Sequence, residues 1–413
     1  MPANASTLPL RSSLDPPVPH LRPTRVVSID VFRGLTMLLM IFVNDLASVK
    51  GLPWWNYHMP GRANGMTYVD MVFPGFLFIV GMSIPLAVRH RLAKQNSLPR
   101  LWLHVAARSL SLVVLGIALA NAEKGDPRLM GISQGTWLLF VLVGAILFWN
   151  IYPRSKRYRS LFVLAKFAGL LLMAAMFLIF RRTNESGQIA WLDFSYWEIL
   201  GLIGWTYLAV CLVYIPTRNW KWSPFAWLGV FALLNILSSA KMLPFAGHLP
   251  FYFWPFNTGA FCLITTAGIL ISTIFLDQTV ASTLRQKTLW AFGCAAVFFV
   301  AGALLTPLGI SKIRATPTWC FYCAAASTLI FLLLYWICDV KGRTAWAAFV
   351  KPAGSNTLLT YLLPDIFYAA LGTSYLSVEL QRGLPGVIKA AVFTALMLAF
   401  SALLTRCKIR LQL

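Results

Sequence analysis

The sequence predicts an all-α protein embedded in a membrane, and its composition provides the evidence. Of 413 residues, 58% are hydrophobic and only 12% are charged, which is about half the charged fraction of an average soluble domain. The mean hydropathy is +0.70. Apolar residues cluster in runs of about 20, the length of a helix that crosses a bilayer. Backbone polar groups in a bilayer must be paired within their own segment, so these runs are predicted to be helices and a soluble enzyme is excluded.

Twelve apolar runs follow one another, so we expect a polytopic bundle of about 11–12 transmembrane helices. The runs lie near 30–48, 68–88, 101–120, 133–151, 160–180, 197–215, 225–241, 258–276, 288–307, 318–338, 353–371 and 386–405. Together they form a single predicted transmembrane domain at 30–405. Residues 1–29 are rich in Pro, Ser and Arg and lack the apolar stretch of a signal peptide, which predicts a disordered cytoplasmic leader. Residues 406–413 are predicted to form a basic cytoplasmic tail.

The distribution of positive charge predicts the orientation of the bundle. The net charge is +22, from 35 Lys and Arg against 13 Asp and Glu. The termini and one set of alternate loops carry 21 of the basic residues, and the opposite loops carry 10. Since loops rich in Lys and Arg stay in the cytoplasm, both termini are predicted to be cytoplasmic. This topology accounts for the positive charge, so we expect no nucleic-acid partner.

The densest group of polar and aromatic residues lies at the outer end of the first run and in the loop that follows. Asn44 and Asp45 end the run, and Trp54, Trp55 and His58 follow. The tryptophans are typical of an interfacial belt, and their flat faces also suit sugar rings. An imidazole can accept a proton near neutral pH or carry an acyl group as a nucleophile; a solvated loop histidine is the alternative.

Two further segments carry candidate binding residues. His248 lies in another aromatic loop, predicted on the same side of the membrane as His58. It would either line an acceptor pocket or lie at the membrane interface. Lys351, Ser355 and Asn356 surround a Gly-Ser-Asn sequence at the start of a run. Free backbone N–H groups at such a helix start can hold a phosphate, although the full phosphate-loop pattern is missing.

Charged residues inside apolar runs are costly and need a reason. Asp30 and Arg33 are three residues apart and share a helix face, which favours an ion pair; a helix-start acid with a snorkelling arginine is the alternative. Glu198 and Asp365 are further acids within apolar runs. In a transporter of a sugar or small anion, these residues would mark the permeation path, so an enzyme and a transporter both remain open.

The cysteines do not indicate a metal site. Cys320 and Cys323 are spaced like a metal or redox motif, but the chain has no second such pair and no clustered histidines. Inside an apolar run a thiol behaves as a small hydrophobic group, so we expect core packing and no metal.

Four pieces of the sequence resemble the heparan-α-glucosaminide N-acetyltransferase family. They are residues 28–44, which begin Ser-Ile-Asp-Val-Phe-Arg-Gly, then His58, residues 64–81, which include Asn-Gly-Met-Thr-Tyr-Val-Asp, and residues 351–361. The chain begins almost at the first motif, so it is similar to the shorter bacterial members. The resemblance implies an integral membrane protein, and we expect the bacterial inner membrane.

The resemblance also implies an activity and a set of site residues. The expected reaction passes the acetyl group of cytosolic acetyl-CoA to the amine of a glucosamine-type sugar across the membrane, with transfer to a hydroxyl as a variant. By the resemblance, Asn44 and His58 are the catalytic pair. Expected acceptor-binding residues are Asp45, Trp54, Trp55, Asp70 and His248, and expected acetyl-CoA contacts are Arg33, Lys351, Ser355 and Asn356. Membrane lipids and a homodimer are the further partners that we expect.

Overall fold

The computed structural model describes residues 26–95, 97–154, 157–243, 258–276, 280–372 and 378–413. Within these residues the only sheet is a small hairpin of β1 (Arg182–Thr183) and β2 (Ile189–Ala190). Together with shorter helices such as Lys351–Ser355, twelve apolar helices of 15 to 27 residues make up most of the architecture. In chain order these are α1 (Val27–Leu46), α2 (Val69–Gln95), α3 (Leu98–Asn121), α4 (Gln134–Trp149), α5 (Arg159–Ile179), α6 (Glu198–Thr217), α7 (Ser223–Ser239), α8 (Ala260–Leu276), α9 (Leu284–Leu304), α10 (Pro317–Tyr335), α11 (Thr357–Leu371) and α12 (Gly383–Arg406).

The helices confirm the prediction of an all-α polytopic membrane protein. Each of the twelve predicted runs overlaps one of these helices, and the run at 353–371 also includes the end of the short helix Lys351–Ser355. Eight of the helices in the described residues are long and apolar enough to cross a bilayer, whereas α4, α7, α8 and α11 are shorter, at 15 to 17 residues. Helices such as α5 turn most of their leucine and phenylalanine side chains outward, which is the pattern of a surface that faces lipid.

The centre of the bundle is the contact between α2 and α8. Almost every residue of α8 is buried. A Cβ atom at Gly81 would lie 1.9 Å from the carbonyl oxygen of Thr265, and one at Gly268 would lie 2.0 Å from that of Phe78. The two backbones therefore touch directly, as small residues allow in membrane helix pairs.

A second close contact joins the first motif of the sequence to the last. The short helix Lys351–Ser355 packs against α1, and a Cβ atom at Gly354 would come within 2.4 Å of the carbonyl oxygen of Asp30. A Cβ atom at Gly34 would come within 2.5 Å of the carbonyl oxygen of Val350. Two segments more than 300 residues apart in the sequence thus form one unit.

The described ends of the chain lie on the same face of the bundle. Asp339, just after α10, accepts hydrogen bonds of 2.8 and 2.9 Å from the backbone N–H groups of Val27 and Ser28 at the start of α1. Asn356 at the start of α11 accepts a hydrogen bond of 3.1 Å from the backbone N–H of Leu411 in the tail. We call this the inner face, and the opposite face, which carries the loop between α1 and α2, the outer face. A chain that crosses the membrane an even number of times has both ends on one side, so this arrangement agrees with an even number of transmembrane helices.

Candidate functional site

His58 is held by a buried carboxylate at the outer face. Asp70 lies in the first turn of α2, and its Oδ2 accepts a backbone hydrogen bond of 3.0 Å from Thr67, which fixes the carboxylate against the loop. Its Oδ1 lies 2.7 Å from Nδ1 of His58; the Asp70 side chain has no exposed surface, whereas 42% of the His58 side chain is exposed. An Nδ1–H that donates to Asp70 leaves Nε2 as the basic nitrogen of the ring.

A lysine distant in sequence completes this group. The ammonium of Lys312, in the loop before α10, lies 3.2 Å from both ring nitrogens of His58. Burial lowers the pKa of Lys312, although the charge of Asp70 opposes the shift. An ammonium N–H can donate only to the ring nitrogen that carries no proton, which is Nε2 when Nδ1–H donates to Asp70.

The aromatic residues of the same loop are exposed. Trp54 and Trp55 form an edge-to-face pair with ring centroids 6.2 Å apart, and 64% and 51% of their surfaces are accessible. The hydroxyl of Tyr57 donates a 2.7 Å hydrogen bond to the carbonyl of Val49, which ties the loop to the end of α1. This placement suits both an interfacial belt and an open sugar-binding surface.

Asn44 and Asp45 line a separate cavity, which we call the outer chamber. It has a volume of about 1150 Å³ and is walled by α1, α3, α4, the start of α6, α11 and α12, together with the outer loops. Asp45 is buried there, paired with Lys389 at 2.8 Å and hydrogen-bonded by the hydroxyl of Tyr368. The described walls do not include His58, so Asn44 and His58 do not share this cavity.

A second cavity, the inner chamber, opens towards the inner face. Its volume is about 260 Å³. Its polar wall residues include the arginines Arg33, Arg91 and Arg108, the imidazole of His104, and the hydroxyl groups of Ser83, Ser355 and Thr357. Beyond Arg91 and His104 it continues into a wider pocket of about 1030 Å³, the basic vestibule, which adds Trp149, Tyr152, Arg154, Arg159 and Lys166.

The inner and outer chambers share two wall residues. Met40 of α1 and Tyr361 of α11 line both cavities, and they are the only described residues that do so. Asn44 and Asp365 lie four residues further along their helices on the same helix faces, one turn towards the outside. Tyr361 is fixed from the outer side, because its hydroxyl donates a 2.7 Å hydrogen bond to Oε1 of Glu198. The partition between the chambers is therefore one side chain thick.

Arg33 joins the first and last motifs. Its guanidinium lies 3.3 Å from Oδ1 of Asp30, as the sequence spacing predicts, and also donates to the carbonyl of Gly354 at 3.2 Å and to Oγ of Ser83 at 2.8 Å. The i,i+3 ion pair is thus present, and the guanidinium lies at the edge of the inner chamber.

The remaining predicted residues are placed as follows. Ser355 lines the inner chamber, whereas Lys351 is exposed and does not line it. The amide nitrogen of Asn356 donates to Thr405 Oγ1 and to the carbonyl of Ile409, each at 2.9 Å, which anchors the tail. His248 lies outside the described residues.

Two features of the site have no clear sequence signal. Lys312 meets His58 across 254 positions, and nothing in its own loop indicates that contact. The partition residues Met40 and Tyr361 look like ordinary members of apolar runs. Glu198 and Asp365 do carry a signal, since each is an acid at membrane depth.

The fold and these cavities define a polytopic membrane protein with a polar chamber towards each face. Residues 25–255, more than half of the chain, match the family described as Domain of unknown function (DUF5009). The chain belongs to this family.

Two relatives carry an assigned activity in their names. Heparan-alpha-glucosaminide N-acetyltransferase of Homo sapiens is 40% identical over 99 residues, which are 24% of this chain and 14% of the human protein. The protein of the same name from Mus musculus is 30% identical over 161 residues, which are 37% of this chain and 24% of the mouse protein. These similarities confirm the resemblance found in the motifs. The chain spans less than a quarter of the length of either relative.

Proposed function

We propose that this protein is a transmembrane acetyltransferase that moves the acetyl group of acetyl-CoA from the inner face to an amino sugar at the outer face. The observation that carries the proposal is the pair of chambers that meet at Met40 and Tyr361. A donor and an acceptor held in the two chambers would be separated by one layer of side chains. The names of the two relatives support N-acetyl transfer as the reaction class.

The inner side suits the donor. Coenzyme A carries several phosphate charges, and arginine forks bind phosphate in a bidentate manner. The basic vestibule supplies Arg154 and Arg159 beside Trp149, whose ring can stack on an adenine. In this proposal Arg33 and Ser355 contact the pantetheine arm or its phosphates within the inner chamber, and Lys351 attracts the polyanion from the surface.

The chemistry needs a base and a stabiliser for the oxyanion. We assign the base to His58 Nε2, which takes a proton from the attacking amine as its nitrogen bonds to the acetyl carbon, or which itself takes the acetyl group before passing it on. The carbon–sulfur bond breaks, and the leaving sulfur takes the proton that His58 received, so coenzyme A leaves as the thiol and the histidine returns to its basic form. The amide of Asn44 donates a hydrogen bond to the developing oxyanion. Because Asn44 lines the outer chamber without His58, joint action requires the loop between α1 and α2 to close over that chamber.

The outer side suits the acceptor. Asp45 and Asp70 would orient the sugar, and Trp54 and Trp55 would provide exposed rings on which it stacks. We propose that the outer face is the periplasmic side of a bacterial inner membrane. A homodimer within the lipid bilayer is part of the same proposal.

A thiol-release assay on the purified protein tests the function. Acetyl-CoA and a panel of amino sugars should yield free CoA thiol in proportion to N-acetylated sugar. His58→Ala and Asn44→Ala should each lower turnover about 10²-fold or more while leaving acetyl-CoA binding intact. Uptake of labelled sugar without thiol release would instead identify a transporter and overturn the proposal.

A further inference from the structure

Among the described residues, the walls of the outer chamber carry four acids and two bases. Its two described cations are already engaged: Lys389 pairs with Asp45 at 2.8 Å, and Lys124 pairs with Asp193 at 2.6 Å. Three carboxylates on its walls have no basic partner among the described residues, namely Glu123, Glu198 and Asp365. Glu123 is exposed at the rim, so water can screen its charge. The other two lie deep in the chamber.

Asp365 lacks the hydrogen-bond donors that a deep carboxylate needs. No described residue donates to it, and it projects from α11 into the outer chamber one turn outward from Tyr361. Glu198 is fixed more firmly, since Oε1 accepts from Tyr361 at 2.7 Å and Oε2 accepts from the backbone N–H of Leu200 at 3.0 Å. A carboxylate away from bulk water is costly unless a cation or several donors reach it.

The geometry points to a subsite for an ammonium group: we propose that Glu198 and Asp365 together bind the protonated amine of the acceptor. An ammonium group supplies one positive charge and three N–H donors. The two carboxylates near Tyr361 can balance that charge and accept hydrogen bonds from those donors. The subsite lies one helical turn from the wall that the two chambers share. Before the attack, the bound ammonium gives one proton to a carboxylate of the subsite, which frees the lone pair of its nitrogen. The assignment rests on the proposed function for the identity of the acceptor as a sugar, but the charge argument holds for any primary amine.

Binding measurements on the wild-type protein test the subsite without any substitution. Glucosamine, galactosamine and mannosamine should each bind at least tenfold more tightly than their N-acetylated forms, which carry no charge. Methylammonium should compete with glucosamine, whereas glucose should not. The affinities are measured by titration calorimetry in detergent. Equal affinity for the amino sugars and for their uncharged N-acetylated forms would overturn the subsite.

Isosteric variants then localise the charge. Glu198→Gln and Asp365→Asn should each weaken glucosamine binding by about tenfold to a hundredfold, because each removes one charge from a desolvated pair. Binding of the N-acetylated sugar should not change. Glu185→Gln removes an exposed carboxylate outside the chamber and serves as the matched control. Folded variants with wild-type affinity for glucosamine would contradict the assignment.

The subsite and the proposed function can fail separately. Amine binding that depends on Glu198 and Asp365, in a protein that releases no CoA thiol, would support the subsite and overturn acetyl transfer. Thiol release that keeps its wild-type KM for glucosamine in both variants would support acetyl transfer and overturn the subsite.

Discussion

Nδ1 of His58 lies 2.7 Å from Oδ1 of Asp70, whose side chain is completely buried. A carboxylate in this position fixes the tautomer and the orientation of an imidazole that acts through its other nitrogen. The two residues are therefore expected to act as one unit in the proposed reaction, although only one of them faces solvent.

The first prediction concerns this unit. Asp70→Asn should lower turnover by about 10²-fold to 10⁴-fold, because the amide cannot hold the ring as the carboxylate does. His58→Ala should cost a similar factor, and the double variant should be no worse than His58→Ala alone. Steady-state thiol release measures all three, with acetyl-CoA binding as the control for folding. Losses that multiply in the double variant would show that the residues act independently.

The second prediction concerns Lys312 and pH. Burial lowers its pKa below the ordinary value of 10.5, so between that lowered pKa and 10.5 the unfolded chain binds more protons than the folded one. The contribution of Lys312 to stability should therefore rise with pH across this window. As the pH rises from about 7, the melting temperature of the wild-type protein should increase relative to that of Lys312→Met. The melting temperature of Lys94→Met, changed at an exposed position, should follow that of the wild type. Parallel curves for all three proteins would contradict the shift.

The third prediction concerns the contact between the short helix Lys351–Ser355 and α1. Gly354→Ala should destabilise the fold by about 1–3 kcal/mol, because the new Cβ would lie 2.4 Å from the carbonyl oxygen of Asp30. Gly229→Ala is the matched control, since nothing lies within 4 Å of a Cβ there and alanine favours a helix. Unfolding by denaturant in detergent measures both. Equal stability of the two variants would mean that the helices separate without cost.

The fourth prediction concerns the orientation. Cys407 is the one exposed cysteine among the described cysteines, and the charge distribution assigns it to the cytoplasm. A membrane-impermeant maleimide should label it only after permeabilisation. In a Cys407→Ser background, Asn56→Cys in the outer loop should be labelled in intact cells. The reverse pattern would invert the bundle and move the acceptor to the cytoplasm.

The helices of this fold could be predicted because the membrane imposes a local rule. A run such as 160–180 must pair its own backbone groups, so its sequence alone decides that it is a helix, α5. The ion pair between Asp30 and Arg33 follows from helix spacing for the same reason. No comparable local rule predicts which residues contact His58. Lys312 reaches it from a distant loop, which hydrogen bonds from Ile310 to Asn64 and from Gly65 to Ile310 hold against the loop of His58.

The two chambers could not be predicted from the sequence either. Met40 and Tyr361 belong to helices far apart in the chain and pack in one cluster, beside the place where Gly34 and Gly354 bring α1 and the short helix into direct contact. Asn44 and His58, which the resemblance pairs, occupy different surfaces of the described structure. Their joint action stays a prediction that depends on loop closure.

Acetyl transfer across the membrane is the central claim, and inside-out membrane vesicles loaded with glucosamine test it most directly. Acetyl-CoA labelled in its acetyl group is added outside, where the inner face of the protein is then exposed. The proposed function predicts labelled N-acetylglucosamine inside the vesicles and an equal amount of free CoA thiol outside, with both absent in vesicles that carry His58→Ala. Glucosamine that leaves the vesicles while the label stays on acetyl-CoA would contradict it.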